Sequence, residues 1–214
     1  ARASASDRRR TEDRMSLAEQ PALALLEFDS IAVGVLAGDA MVKRSPVAIA
    51  YAGTIHPGHY LVLVAGDVAT VDEAFCAGID VGGRALRDEI FLPAVHSAVV
   101  ERLRGRRAHA SGEALGVVET RTAAAAVAVA DRALKSAEVS LVELRLADRL
   151  GGKGYCVFSG PLAEVEAAVE AGVTALASPD ALVAEVVIPQ FHPEMLANLE
   201  VETEFWRRLG GGES

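Results

Sequence analysis

The sequence predicts an α+β fold built from two copies in tandem of one β-α-β-β-α-β unit, a ferredoxin-like arrangement in which an antiparallel sheet carries both helices on one face. Three observations support this. The chain repeats itself: Glu27, Asp39 and Lys43 return 92 positions later as Glu119, Asp131 and Lys135; Gly66 and Gly78 return 94 later as Gly160 and Gly172; and Pro93 and His96 return 96 later as Pro189 and His192. Within each copy the apolar spacing changes from strand-like to helix-like and back in the same order. Glycine and proline punctuate both copies at matching places.

Taken in order, Leu23–Phe28 and Leu115–Thr120 are short apolar strands running into Glu27 and Glu119. Ile31–Arg44 and Ala123–Lys135 are helices rich in Ala, Val and Leu, the second opened by Thr122 as its N-cap. Val47–Tyr51 and Val139–Leu146 are strands, the latter with alternating polarity. A glycine-containing loop leads in each copy to Tyr60–Val64 and Tyr155–Phe158. Val68–Gly78 and Leu162–Gly172 are helices, with the glycine expected as terminator. Glu89–Leu92 and Glu185–Ile188 are closing strands, each stopped by proline. One sheet face is left bare, and a neighbouring subunit is expected to cover it. Glu194–Leu209 has an amphipathic helical pattern through Met195, Leu199, Glu202 and Trp206, with Trp206 expected against the body.

These elements divide the chain into a disordered arm (1–20), a first domain (21–104), a linker (105–112), a second domain (113–199) and the end of the C-terminal helix with its tail (200–214). A unit of about 90 residues buries roughly 60–65% of its unfolded surface, enough for a core with little to spare. At 51% hydrophobic but only 5% aromatic, that core is made of Ala, Val and Leu, which suits close packing of helices on a sheet. A net charge of −9 argues against nucleic acid, whose phosphates want a basic footprint. No apolar run reaches the ~20 residues of a membrane span, and the first residues lack the apolar core of a secretory leader. A cytoplasmic protein is expected, with Cys76 and Cys156, at non-equivalent positions of the two copies, as buried free thiols.

The residues offer little chemistry. No Ser or Cys nucleophile has a motif, no helix carries His-Glu-x-x-His, and no glycine-rich loop has phosphate-binding spacing. No catalytic residue, metal or cofactor is therefore expected, and no enzyme activity. Asp39/Lys43 and Asp131/Lys135 are i,i+4 pairs worth ~0.3–0.5 kcal/mol each on an exposed helix. His96 and His192, at one repeated position, are expected to hydrogen-bond at a strand exit. The most informative segments are the loops 54–58 (Thr-Ile-His-Pro-Gly) and 149–154 (Arg-Leu-Gly-Gly-Lys-Gly), which on their own are hairpin turns.

The order of these motifs resembles a known family. A strand ending Val-Glu-Thr (118–120), a helix ending Ala-Asp-Arg-Ala-Leu-Lys-Ser-Ala (130–137), a Gly-Gly-Lys-Gly loop (151–154), Ser-Gly-Pro-Leu (159–162) and a closing Ile-Pro-x-x-His (188–192) are similar to the bacterial microcompartment shell domain. Two such domains in one chain, covering roughly 21–104 and 113–199, resemble its tandem, trimer-forming class. Each copy begins on the Glu-ended strand, which resembles the unpermuted, single-layer type. The resemblance implies a homotrimer that forms a pseudohexameric tile in a shell within the cytoplasm, beside other shell proteins (hexamers and pentamers). It implies a central pore lined by Ile55, His56, Pro57, Gly58, Leu150, Gly151, Gly152 and Lys153, where glycine lets six loops crowd one axis. It places Lys43, Arg44 and Lys135 at the tile edge. His56, Arg149 and Lys153 would favour small polar or anionic metabolites, with Asp148 as a partial offset.

Three departures from the family pattern stand out. The stretch from Lys43 to Gly66 is two residues shorter than that from Lys135 to Gly160, so two loop types would alternate round the axis. Neither loop tip has a Cys, so the iron–sulfur cluster of some tandem members is not expected. Ala94 and Val95, then Gln190 and Phe191, stand where the family often has an Arg, making the edge less polar. The rival expectation is a soluble trimeric regulatory module that binds a small ligand between subunits, which fold alone does not separate from a tile.

Overall fold

The computed structural model describes residues 21–106, 108–110 and 112–201; the expected N-terminal arm and the end of the C-terminal helix with Trp206 lie outside them. The first copy runs β1 (Ala22–Phe28), α1 (Ile31–Arg44), β2 (Ile49–Ile55), β3 (His59–Gly66), α2 (Val68–Gly82), β4 (Leu86–Leu92) and α3 (Ser97–Leu103). The second runs β5 (Ala114–Thr120), α4 (Ala123–Ser136), β6 (Ser140–Leu146), β7 (Gly154–Gly160), α5 (Leu162–Thr174), β8 (Leu182–Ile188) and α6 (Pro193–Val201). Each copy is a four-stranded antiparallel sheet, ordered β2-β3-β1-β4 and β6-β7-β5-β8. Both have a register shift at the same place, Glu27/Phe28 and Glu119/Thr120. Only the second has another, between Leu141 and Glu143 on β6.

Local chemistry explains the boundaries. Ser30, Asp67 and Thr122 cap α1, α2 and α4 by accepting the amides of Val33, Thr70 and Ala125. On β1 and β3, Ala24, Leu26, Phe28, Val62 and Val64 face Ala37, Met41, Val71 and Ala74 of the two helices above. Gly78 and Gly172 correct the sequence expectation: neither ends its helix. A Cβ on Gly78 would sit 2.7 Å from Met41 Sδ, and one on Gly172 would sit 2.9 Å from Val129 Cγ1. They let the paired helices approach, and Gly83, at φ 47°, ends α2 instead.

The other sheet face is not left for a neighbour alone, as expected, because each copy closes with a short helix that packs on it. In the second copy Leu196 and Leu199 of α6 join Leu115, Val142 and Val157. The Pro-x-x-His repeat starts these helices: His96 Nδ1 accepts the Ala98 amide at 3.2 Å and His192 Nδ1 the Glu194 amide at 3.3 Å. One core then runs across both copies, since Leu23, Leu25, Val95 and Val99 of the first pack in a cluster with Ala123, Val127, Ala130 and Leu141 of the second. Cys156 is buried and donates to Ala126 O at 3.1 Å, its thiol pushed up by burial, whereas Cys76 is exposed on α2, against expectation. No helix among the described residues is long and apolar enough to cross a membrane.

Candidate functional site: paired hairpins above an internal seam

The two glycine hairpins come from different copies, yet they meet. In the β2–β3 turn Gly58 N donates to Ile55 O at 2.9 Å, with Gly58 at φ 124°. The longer β6–β7 turn is closed by Ala147 N donating to Lys153 O at 2.8 Å, and by Leu150 N donating to Ala147 O at 3.0 Å. It needs a run of left-handed residues: Ala147, Arg149, Gly151 and Gly152, at φ 51°, 60°, 65° and 86°. A Cβ on Gly152 would be 3.3 Å from Pro57 Cδ and 3.7 Å from His56 O, so one hairpin lies against the other. Thr54, Ile55, His56, Pro57, Gly58, Asp148 and Arg149 line an open depression of about 670 Å³. Lys153 does not add a lone cation, because its Nζ is 2.5 Å from Glu119 Oε1.

Below the hairpins lies a charged node that the sequence did not single out. Glu27 is fully buried, and its Oε2 accepts the Ala123 amide at 3.0 Å, so a first-copy carboxylate caps the first turn of a second-copy helix. Its Oε1 lies 3.2 Å from both His59 Nδ1 and Arg87 Nε. Asp29 Oδ1 in turn accepts from Arg87 NH1 at 3.1 Å. Burial raises the Glu27 carboxyl pKa above its ordinary value, while the Ala123 amide, Arg87 and His59 pull it back. Alongside, Thr122 Oγ1 donates to Asp88 Oδ2. The only sequence trace of this node was the repetition of Glu27 as Glu119. Its partners are not repeated, because Lys153 stands at the place of His59 and Val183 at that of Arg87.

The far end of the seam is latched by one of the repeated pairs. Asp131 Oδ1 accepts the His96 amide at 2.7 Å, and Lys135 Nζ donates to Asp131 Oδ2 at 2.5 Å and to Ala94 O at 2.6 Å. The twin pair, Asp39 and Lys43, has the same 2.5 Å contact but lies in the open; the Lys43 side chain is 72% exposed against 37% for Lys135. Arg44 Nε is 3.7 Å from Glu73 Oε2 at the surface. The structure thus puts Lys43 and Arg44 on an outer face, and Lys135, still 37% exposed, beside the join of the copies.

This architecture is that of a known family. The BMC domain family model matches residues 22–95 and again 114–191, and the chain belongs to that family, with two such domains in tandem. It is 37% identical over 174 residues to the bacterial microcompartment shell protein PduT of Citrobacter freundii, covering 81% of this chain and 95% of that one. The crystal structure of a microcompartments protein from Desulfitobacterium hafniense DCB superposes with a TM-score of 0.71 at 36% identity, covering 82% of this chain and 98% of that chain. A fused permuted hexameric shell protein of the RMM microcompartment shares the fold at 24% identity, with a TM-score of 0.53 over 73% of this chain and 84% of that one. The chain is a shell protein of a bacterial microcompartment.

Proposed function

We propose that three chains close head to tail into a ring of six copies, a pseudohexameric tile, with the hairpins round a central pore and other shell proteins along its edges. The observation that carries this is a pair of bare faces. Inside the chain, β4, the 93–96 exit and α3 of the first copy meet α4 and β6 of the second. The twins of these two surfaces, β8 with α6 and α1 with β2, lie at opposite ends of the chain and, among the described residues, have no such intrachain counterpart. Among the described residues, eight of the nine exposed large hydrophobic side chains fall on them: Ile31, Val35, Leu36, Val42 and Tyr51 on one face, and Val183, Val186 and Met195 on the other. Val35 is 51% exposed while its twin Val127 is fully buried. A head-to-tail contact closes a ring when its rotation divides a full turn, and the ring then leaves neither face bare. Apolar patches of this kind mark interfaces.

Ring closure brings three copies of each hairpin to one axis. The pore is lined by Ile55, His56, Pro57 and Gly58 alternating with Leu150, Gly151, Gly152 and Lys153, and it passes small polar or anionic metabolites. His56, Arg149 and Lys153 bias the lumen towards anions, with Asp148 as a partial offset and Glu119 beside Lys153. Lys43 and Arg44 lie where rings meet one another or where chains join. The chain performs no catalysis, and its chemistry is that of an opening. Family membership favours this tile over a free regulatory module.

Sedimentation and electron microscopy test the proposal. The expected results are a species of three 22.4 kDa chains with a central opening, and incorporation into sheets or shells on mixing with other shell proteins. A stable monomer, or a trimer that never joins such assemblies, overturns it.

A further inference from the structure

We propose that α6 of each chain straps across β2 of the next, holding the ring together from the side of the sheets opposite the long helices. The inference rests on the head-to-tail ring above and names the part of its joint that α6 and β2 make. Its template is the inner seam. There α3, the closing helix of the first copy, reaches past its own sheet to the outer strand of the second: Arg102 Nε donates to Leu141 O on β6 at 2.8 Å, and Val99 is fully buried.

Helix α6 is the twin of α3, 96 residues on. Leu196 and Leu199, the twins of Val100 and Leu103, are used on its own sheet. The other two twins have no such contact among the described residues: Met195, at the place of Val99, is 53% exposed, and Asn198, at the place of Arg102, donates within its own helix, to Glu194 O at 2.6 Å.

The receiving strand is equally bare. β2 is the twin of β6, and its Tyr51 is 58% exposed where Glu143 is 7% exposed. Tyr51 borders a small apolar cavity of about 60 Å³ with Pro21, Leu23, Leu63, Ala65 and Leu103. Both sides of the contact also change together. At the inner seam Arg102 donates to Leu141 O and Glu143 accepts from Tyr155 Oη; at the outer joint Asn198 and Tyr51, both uncharged, stand at these places. With neither place charged, the outer joint closes without burying a charge there. A thioether beside a phenol ring is a favourable pairing. The occupant is therefore a second copy of this chain, through Met195 and Asn198.

The test uses the full chain with Cys76→Ser, which leaves Cys156 buried. Tyr51→Cys and Asn198→Cys are introduced together and treated with a short bismaleimide. The expected product on a denaturing gel is a covalent trimer, absent from either single variant, while Arg102→Cys with Glu143→Cys links only within one chain. In parallel, Met195→Asp, at an exposed position, should raise the dissociation constant of the trimer at least tenfold without moving the melting of the chain itself. A trimer that sediments normally but gives no intermolecular link, or that is indifferent to Met195→Asp, overturns the strap and leaves the ring. A chain that is monomeric before any substitution overturns both.

Discussion

Among the described residues the chain shows one surface twice, covered where the first copy meets the second and bare on the outer sides of the two copies, and the two versions differ in chemistry. The covered seam is rich in polar groups: Glu27 with His59 and Arg87, Asp131 on the His96 amide, and Arg102 on Leu141 O. At the bare ends Val183 replaces Arg87, Ile31 replaces Ala123, Leu36 replaces Ala128 and Tyr51 replaces Glu143. A tether explains the contrast. Copies joined by a short linker meet at high effective concentration, so their interface tolerates buried charge and small side chains. In the proposed ring the bare surfaces must find each other in solution, and such surfaces need more apolar area per contact, as oligomer interfaces do.

The largest expected difference between the two versions comes from putting a charge at one position in each. Val127→Asp buries a carboxylate in the shared core and should cost about 4 kcal/mol or more, enough to unfold the chain or abolish its expression. Val35→Asp, at the twin position, should leave the urea midpoint of the single chain within ~0.5 kcal/mol of the parent, yet abolish the trimer in sedimentation. Equal damage to folding from both would mean that α1 is covered within the chain after all.

Next in size is the buried node. Glu27→Ala removes the acceptor of the Ala123 amide at the start of α4 and leaves Arg87 without its buried partner, at an expected cost of about 3 kcal/mol in denaturant melts. Glu119→Ala, at the half-exposed twin, should cost under about 1 kcal/mol. Glu27→Gln keeps an acceptor for the Ala123 amide and separates charge from geometry. Because the folded-state pKa of Glu27 is raised, the folded chain binds a proton more readily than the unfolded one. The parent should therefore gain stability relative to Glu27→Gln as pH falls through the raised value towards the ordinary carboxylate range, and lose that advantage as pH rises. Parallel pH profiles for the two proteins would show that the Glu27 charge plays no part at the seam.

The difference between the versions also marks what could be read from the sequence. Strand and helix order was legible because the repeats reinforced each other: a weak alternation at Val47–Tyr51 gained support from the clear one at Val139–Leu146. The hairpins were legible because glycine runs have few other uses. What repeats cannot reveal is where the repeats differ. The partners of Glu27 are absent from the second copy, so duplication hid the node. Gly78 and Gly172 look like helix ends in sequence, and only the nearness of Met41 and Val129 shows that they serve packing. The helix Ser97–Leu103 was missed because seven residues are too few to show a helical period.

A smaller effect is expected at the hairpins. Gly152→Ala forces an L side chain to φ 86° beside Pro57, at a cost of roughly 1–2 kcal/mol. Because the residue lies where the two hairpins touch, the loss should appear mainly as faster hydrogen exchange of the Ala147 and Lys153 amides that close the turn. Unchanged exchange would place the strain elsewhere.

The smallest effect separates the two lysines, which the sequence treats as equals. Lys135 bridges Asp131 and Ala94 O across the seam, so Lys135→Ala should cost about 1 kcal/mol of chain stability. Lys43 holds only Asp39 on an open helix, and its loss should cost the single chain no more than ~0.5 kcal/mol. If the outer face is the inner one repeated, Lys43 awaits a carbonyl at the twin of Ala94, Gln190 of the next chain, and Lys43→Ala should weaken the trimer severalfold. If Lys43 instead meets neighbouring tiles, the same variant should leave the trimer intact and lower only its incorporation into sheets. Trimer dissociation and sheet yield, measured on one preparation, assign the residue to one joint or the other.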